Sequence, residues 1–266
     1  MKDSKERKIA HLKEFAVDVI KRAGEEALSY YGKGEPGVKF DAGLVTEAEL
    51  RLTGFFKDQL DEHFPEHQLF TNNQEEKAYT HEGKRHVWVY DALDGVANFQ
   101  AGIPLWGISL ALLENFWPVL GTFYMPATGD LFYAQADSSA YWGKDKIGVS
   151  EQEYIDDESL LLTYSRFNHR FRSLFPGKIR DFGCTGTHIC YVATGRAEAA
   201  VMSNESYQDL AATCIILEAA GGKIYKMNGK AFALSEYMDG GEMEDTLIAA
   251  SPGIYSQVRD CLKTIS

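Results

Sequence analysis

Apolar residues recur every three or four positions near the start of the chain, which predicts an amphipathic helix from about residue 5 to residue 31. Gly32 and Gly34 would end it. Its apolar positions are Leu12, Phe15, Ala16, Val19, Ile20, Ala23 and Leu28. Thr46 and Glu49 have the spacing of a capping box, which predicts that a second helix begins there and ends before Pro65. Its apolar positions are Leu50, Leu52, Phe55, Phe56 and Leu60.

Short runs of β-branched and aromatic residues follow, and they predict strands. The runs are 68–71, 87–90, 108–113, 119–124, 131–134 and 140–142. The runs after residue 99 are separated by turn residues, so we expect consecutive antiparallel strands there.

A polar stretch from residue 143 to residue 158 predicts a boundary between two lobes, 1–150 and 151–266. In the second lobe, strands at 160–163, 199–202, 223–225 and 246–250 alternate with helices at 185–194 and 208–220. Ser251 as N-cap and Pro252 at the first helical position predict a last helix, with Ile254, Val258 and Leu262 facing inward. The expected fold is therefore an α+β lobe followed by an α/β lobe.

Composition restricts the class of protein. Of 266 residues, 45% are hydrophobic and 25% charged, as in an ordinary globular protein. The net charge of −12 argues against a nucleic-acid-binding surface. No apolar run is long enough to span a bilayer, and the charged first residues lack an apolar signal core. The four cysteines show no metal-finger spacing, which is typical of free thiols. We therefore expect a cytoplasmic protein.

The segment from Asp91 to Phe99, Asp-Ala-Leu-Asp-Gly-Val-Ala-Asn-Phe, follows a predicted buried strand. Two carboxylates three residues apart, with a main-chain carbonyl between them, offer the oxygen ligands that Mg²⁺ prefers. The glycine allows close approach of a ligand, and the amides after it could hold an anion. An ordinary turn is the alternative, because Asp and Gly are common turn formers.

This segment resembles the first signature of the inositol monophosphatase family, Asp-Pro-Leu/Ile-Asp-Gly-Thr-x-Asn-Phe. Residues 208–222 resemble the family's Trp-Asp-x-Ala-Ala-Gly-x-x-Ile-x-x-Glu-Ala-Gly-Gly segment. Residues 183–199 match a third segment in spacing, and residues 44–49 resemble the family's Leu-Val-Thr-x-x-Asp. The four motifs occur in the family's order and extend from about residue 12 to residue 255.

The resemblance implies a layered αβαβα architecture and a Mg²⁺-dependent phosphomonoesterase, with Mn²⁺ as a second candidate ion. It also implies a small phosphorylated substrate and a homodimer. The implied metal ligands are Asp91, the Leu93 carbonyl, Asp94, Asp209 and the residue at the family's first glutamate position, here Asn72. The implied phosphate-binding amides are those of Gly95, Val96 and Ala97. The other implied substrate contacts are Cys184, Thr185, Met202 and Asp209.

Asp209 also has a simpler interpretation, as an acid in the first turn of a helix. His188, among apolar neighbours on a helix, is expected to be structural. Cys184 lies near a helix start but has no identifiable histidine partner, so we do not expect a nucleophile.

The chain departs from the family pattern around the water that attacks the phosphate. Asn72 supplies an amide oxygen without charge, which predicts weaker metal binding, unless a shifted register places Glu75 or Glu76 there. Val96 replaces the threonine that orients the water, and Glu49 replaces that threonine's aspartate partner. Loss of the orienting groups could cost a factor on the order of 10²–10⁴ in rate. Met202 and Gln208 replace a glutamate and a tryptophan near the substrate.

Two hypotheses follow. Asp91, Asp94, Glu49 and Val96 form the active site of a divergent phosphatase for a small sugar or inositol phosphate. Alternatively, the chain has lost the chemistry and serves as a phospho-ligand-binding or dimeric scaffold protein.

Overall fold

The computed structural model describes residues 2–33, 42–70, 86–115, 117–237, 243 and 245–265, and only the main chain of residues 2–8 and 42–46. Asn72 and its alternatives Glu75 and Glu76 lie outside the described residues. Within the described residues, no helix combines the length and the apolar character that a membrane crossing requires.

Two long helices open the chain, α1 (Lys2–Leu28) and α2 (Ala42–His63). The capping-box prediction misplaced the start of α2, which begins four residues before Thr46. Glu49 therefore lies inside the helix. There the main-chain amides already have carbonyl partners in the preceding turn, so they need no side-chain cap. Two apolar positions were also assigned wrongly. Leu28 is 40% exposed, because Ala27 occupies the buried position, and Leu50 is 70% exposed.

The first sheet has seven strands in chain order, and every neighbouring pair after the first is antiparallel. β1 is short and pairs in parallel with β2, whose Val87 and Trp88 lie beside Gln68 and Leu69. The strands are β1 (Gln68–Leu69), β2 (His86–Asp94), β3 (Gly107–Glu114), β4 (Trp117–Met125), β5 (Asp130–Gln135), β6 (Ala140–Trp142) and β7 (Asp145–Ile147). A short helix, α3 (Val96–Ala101), connects β2 to β3. β7 falls within the stretch predicted as a lobe boundary.

The second sheet has five strands in the order β10-β8-β11-β13-β12. These are β8 (Leu160–Leu162), β10 (Lys178–Arg180), β11 (Ala199–Met202), β12 (Lys223–Lys226) and β13 (Leu247–Ala250). β8 is parallel to β10 and to β11, whereas β13 is antiparallel to both of its neighbours. The helices of this half are α4 (Phe167–Arg170), α5 (Thr185–Ala193), α6 (Tyr207–Ala219) and α7 (Tyr255–Asp260), with a 3-10 turn at Leu234–Tyr237.

The last helix begins later than predicted. The Ser251 carbonyl accepts hydrogen bonds from the amides of Ile254 and Tyr255, so Ser251 and Pro252 form a turn before α7. Leu262 is buried as expected, but it belongs to a strand, β14 (Leu262–Thr264), which pairs with β9 (Phe171–Ser173).

The core explains the layering. On β2, Trp88 and Tyr90 pack with α1 and α2, whereas Val87 and Val89 pack with α5 and α6. The cluster around α5 and α6 also contains one face of the second sheet, and the other face packs with α4, α7 and the β9–β14 pair. The prediction of an αβαβα arrangement is therefore confirmed.

Candidate active site

A bulge at the end of β2 positions the two carboxylates of the central motif. The strand does not stop at Tyr90, as the sequence pattern predicts, but continues through Asp94. Asp91 pairs with Ser109 and Asp94 with Gly107, so three steps along β2 oppose two along β3. One extra residue of this kind bends a strand and redirects its side chains. Within the bulge, the buried Leu93 donates its N–H to Asp91 Oδ1 at 3.1 Å.

Asp94 accepts hydrogen bonds from the first amides of α5. Its Oδ1 accepts the N–H of Thr185 at 3.1 Å, and its Oδ2 accepts the N–H of Gly186. These amides have no partners inside the helix, and the helix dipole also favours a carboxylate there. Gly186 is required by the close approach, because a Cβ at that position would lie 2.8 Å from Asp94 Oδ2.

Asp209 lies in the first turn of α6 and forms a capping box with Ser206. Ser206 Oγ accepts the N–H of Asp209 at 3.2 Å, and Asp209 Oδ2 accepts the N–H of Ser206 at 2.6 Å. The simpler interpretation of Asp209 as a first-turn acid is thus confirmed. It does not exclude a second role, because the charge of Asp209 also acts on Asp91 and Asp94.

Burial and mutual repulsion raise the pKa values of these carboxyls. Burial, followed by the charges of Asp209 and Asp94, holds the pKa of Asp91 well above its usual range. Burial and the charge of Asp209 raise the pKa of Asp94 to about 6, and burial raises the pKa of Asp209. The neighbouring charges that raise these values are all negative. Such a cluster is most stable when a cation neutralises it.

The oxygen donors fit a hard divalent cation in chemical type. Among the described residues, Asp91 Oδ2 is a buried oxygen without a hydrogen-bond partner, as expected of an oxygen that ligates a cation. The side chains in their present rotamers do not form a complete coordination site. Among the described residues, no three acidic, cysteine or histidine side chains are close enough to hold one ion. Asp94 and Asp209 instead bond to main-chain amides, which an ion would have to share or displace.

Glu49 lies near this cluster. Burial raises its pKa, and its charge contributes to the raised pKa of Asp91. Glu49 lies on α2, and α2 packs against Trp88 and Tyr90 of β2. This packing explains the proximity better than the expected capping box.

The segment 95–97 begins α3. Gly95 has a left-handed main chain, with φ of 84°, and an added Cβ would lie 3.0 Å from Cys184 Cβ and from the Leu105 carbonyl oxygen. Both constraints favour glycine. Val96 follows as the first residue of the helix and is partly buried against the core between β2 and helices α1 and α2, whereas Ala97 is exposed.

Cys184 is held as a neutral thiol beside Asp94. It is buried, accepts a hydrogen bond from Thr187 Oγ1 at 2.9 Å and bonds to the Asp94 side chain. Burial, with the Asp94 charge, holds the pKa of this thiol well above its usual range. A neutral thiol is a poor nucleophile, in agreement with the sequence analysis.

Two other sequence-based expectations concern buried positions. Met202 is fully buried in β11, so in this conformation it offers no surface to a substrate. His188 Nε2 accepts the N–H of Phe182 at 2.9 Å, and burial lowers its pKa to about 4. His188 is therefore neutral despite Asp181 at 3.9 Å, and it is a structural histidine, as expected.

Sequence reasoning assigned no role to Asn98. Its Nδ2 donates to the carbonyl oxygens of Leu105 and Phe182, both at 2.6 Å, and the residue is buried. Asn98 thereby joins α3 to the segment before β3 and to the segment before α5. The available signal was the resembling motif itself, in which Asn98 follows Asp94 by four residues.

Glu205 was also missed. It is 8% exposed, and its side chain bonds to that of Thr185. Burial, followed by the charges of Asp209 and Asp94, raises its pKa to about 8. Glu205 is therefore a further carboxyl at this site, beside the three aspartates and Glu49, and it lies three residues after Met202. No pattern in the sequence distinguished it.

The chain is similar to known proteins over most of its length. A model of the inositol monophosphatase family matches residues 8–262. The fructose-1,6-bisphosphatase/inositol-1-monophosphatase of Thermotoga maritima is 26% identical over 88% of this chain and 93% of its own length. The histidinol-phosphatase of Chlorobaculum parvum is 30% identical over 82% of this chain and 86% of its own. The solved structure of the Thermotoga maritima IMPase superposes with a TM-score of 0.78 at 24% identity, over 94% of this chain and 96% of that one.

Proposed function

Because this chain belongs to the inositol monophosphatase family, a family of phosphoric monoester hydrolases, we propose that it is a Mg²⁺-dependent phosphomonoesterase. Its substrate is a small sugar or inositol phosphate, and Mn²⁺ can replace Mg²⁺. The single observation that carries the proposal is the cluster of Asp91, Asp94 and Asp209, three partly buried carboxyls, in which the charge of Asp209 raises the pKa values of both Asp91 and Asp94.

In this proposal, Asp91, the Leu93 carbonyl, Asp94, Asp209 and Asn72 hold the metal. Bound divalent ions neutralise phosphate oxygens, lower the pKa of a bound water and stabilise the leaving oxygen. The unpartnered Asp91 Oδ2 supports this assignment.

The amides of Gly95, Val96 and Ala97 bind the phosphate. The left-handed conformation of Gly95 supports this role, because it turns the chain at the start of α3, where amides lack partners within the helix. Thr185 and Cys184 complete the phosphate-binding side of the active site. Their contacts with Asp94 fix the start of α5 beside this aspartate.

Glu49 accepts the proton of the attacking water. Its proximity to Asp91 and its raised pKa support this role, since a base works best when its pKa approaches the working pH. Val96 supplies no hydroxyl to orient the water, so turnover is slower than with threonine at this position.

A second candidate function is phospho-ligand binding without turnover. The specific observation in its favour is Val96 at the first position of α3, where it adds only apolar surface. In either case we propose a cytoplasmic homodimer.

The test is phosphate release from a panel of inositol, fructose and nucleotide monophosphates over a Mg²⁺ and a Mn²⁺ titration. The same panel is run with the double variant Asn72→Glu/Val96→Thr. Metal-dependent release by the wild type supports the phosphatase. Release by the double variant alone supports the second candidate, and release by neither contradicts the assignment of the site. The molar mass from light scattering, measured as the protein elutes from a size-exclusion column, tests the proposed dimer.

A further inference from the structure

A cavity of about 490 Å³ adjoins the proposed active site at the start of α5. Its wall includes Cys184 and Thr185, and Thr185 donates its main-chain N–H to Asp94. The same wall includes two arginines, Arg166 and Arg170, at the two ends of the α4 segment. We call this cavity, with its two arginines, the arginine subsite.

The main chain holds the α4 segment in a defined position. Arg166 has a left-handed conformation, with φ of 72°, which is uncommon for a residue with a side chain. Arg170 Nη1 donates to Ser203 Oγ at 3.1 Å, and its carbonyl accepts the N–H of Ile265 at 2.9 Å. Ser203 directly follows β11, so one arginine is tied to the strand that leads to Glu205 and α6.

The charges in this wall favour an anion. Within the described part of the chain, no ion pair joins Arg166 or Arg170 to a carboxylate. Among the described residues that line this wall, the one acid is Asp181, whose oxygens accept the Gly183 N–H and the Ser165 hydroxyl, both at 2.8 Å. In a chain of net charge −12, two arginines left without carboxylate partners beside a reaction site require an explanation.

We propose that the arginine subsite binds a second anionic group of the substrate. This inference rests on the proposed function and deepens it: the preferred substrates are phosphate esters that carry a second phosphate or a carboxylate. The guanidinium fork matches the oxygens of both groups. The reacting phosphate lies at Gly95–Ala97, and the second anion lies beyond Thr185, on the α4 side.

The test compares fructose 1,6-bisphosphate with fructose 1-phosphate, which lacks the second phosphate. The measured quantity is the ratio of kcat/KM for the bisphosphate to kcat/KM for the monophosphate. In Arg166→Gln and Arg170→Gln we expect this ratio to fall about 10-fold to 100-fold, as for loss of a charged hydrogen bond. Asp181→Asn keeps an acceptor for Gly183 and removes a negative charge, so it is expected to raise the ratio.

Arg172→Gln is the matched control, because Arg172 is exposed on β9 and does not line the cavity. Thermal unfolding of each variant checks its fold. A ratio that stays at the wild-type value in both cavity variants overturns the subsite, even when the phosphatase activity itself is present. An equal loss on both esters also overturns it, because the arginines would then act on the fold or on the shared chemistry.

Failure of the proposed function gives a different result. If the wild type releases phosphate from neither ester, calorimetry with fructose 1,6-bisphosphate decides the question by binding alone. A Kd raised about 10-fold or more in Arg170→Gln, with Arg172→Gln unchanged, supports the subsite. Equal Kd values, or no measurable binding by the wild type, overturn it.

Discussion

Thr185 donates its main-chain N–H to Asp94 Oδ1 at 3.1 Å, and this contact joins the end of β2 to the start of α5. It brings together two segments that lie 91 residues apart in the chain. Asp94 is proposed to hold the metal and Thr185 to line the substrate site, so in this proposal the contact fixes the two to each other.

The first prediction concerns Asp94→Asn. The variant keeps the shape and one oxygen acceptor but removes a charge from the metal site. We expect its Mn²⁺ affinity, measured by calorimetry, to fall about 100-fold or more, because loss of an outer partner alone costs 10-fold to 100-fold. Asp145→Asn, at an exposed position on β7, is the control. Unchanged affinity in Asp94→Asn would remove Asp94 from the site.

Val96→Thr tests the orientation of the attacking water. Threonine has nearly the shape of valine and adds a hydroxyl, so we expect kcat for phosphate release to rise about 10-fold or more. Val96→Ala is the matched control, since it changes the side-chain volume without adding a polar group. If threonine and alanine change kcat alike, the hydroxyl is not the missing element.

Glu205→Gln tests the pH dependence of the metal-free protein. The pKa of Glu205 is raised to about 8 in the folded state, against about 4.3 when unfolded. The folded state therefore binds a proton that the unfolded state has lost, and stability falls as the pH rises through this window, by about 1.4 kcal/mol for each pH unit.

The measurement is urea unfolding in EDTA from about pH 6 to about pH 8, above the range where Asp94 contributes most. Glutamine cannot ionise, so the slope of unfolding free energy against pH should flatten in the variant. A variant that keeps the wild-type slope would contradict the assignment of this proton to Glu205.

Asn98→Ala removes the side chain that joins α3 to the segments before β3 and α5. Two buried carbonyl groups, of Leu105 and Phe182, would lose their donor. We expect the free energy of unfolding to fall by about 2–4 kcal/mol, measured with urea. Asn168→Ala, at an exposed position of α4, should stay within about 0.5 kcal/mol of the wild type. Equal stability of the two variants would show that Asn98 is not a structural link.

The sequence predicted the parts of the site that local patterns determine. Asp91 and Asp94 lie within one nine-residue motif, and Asp209 lies within a second segment that resembles the family, so all three were candidate ligands without the fold. The strand bulge was not, because it depends on the register with Ser109 and Gly107 of β3. The turn interpretation of residues 91–99 has the same cause, because the sequence alone does not show that β2 continues through Asp94.

Residues placed by tertiary packing were missed. Glu205 has no periodic or motif signal, and it joins the site only because β11 and α6 bring it near Thr185. The strands β9 and β14 have three residues each, too few for a pattern. Leu50 illustrates the opposite error: it fits an apolar helical period yet is exposed, because α2 has one buried face and the residue lies outside it.

The central claim is that the carboxylates at the end of β2 hold the divalent ion that drives phosphate release. Its most direct test is the rate of phosphate release from inositol 1-phosphate against Mg²⁺ concentration, in the wild type and in Asp91→Asn. We predict a saturating, Mg²⁺-dependent rate in the wild type, absent after EDTA treatment, and a loss of at least about 100-fold in Asp91→Asn. Release that is independent of Mg²⁺, or that persists in Asp91→Asn, would contradict the claim.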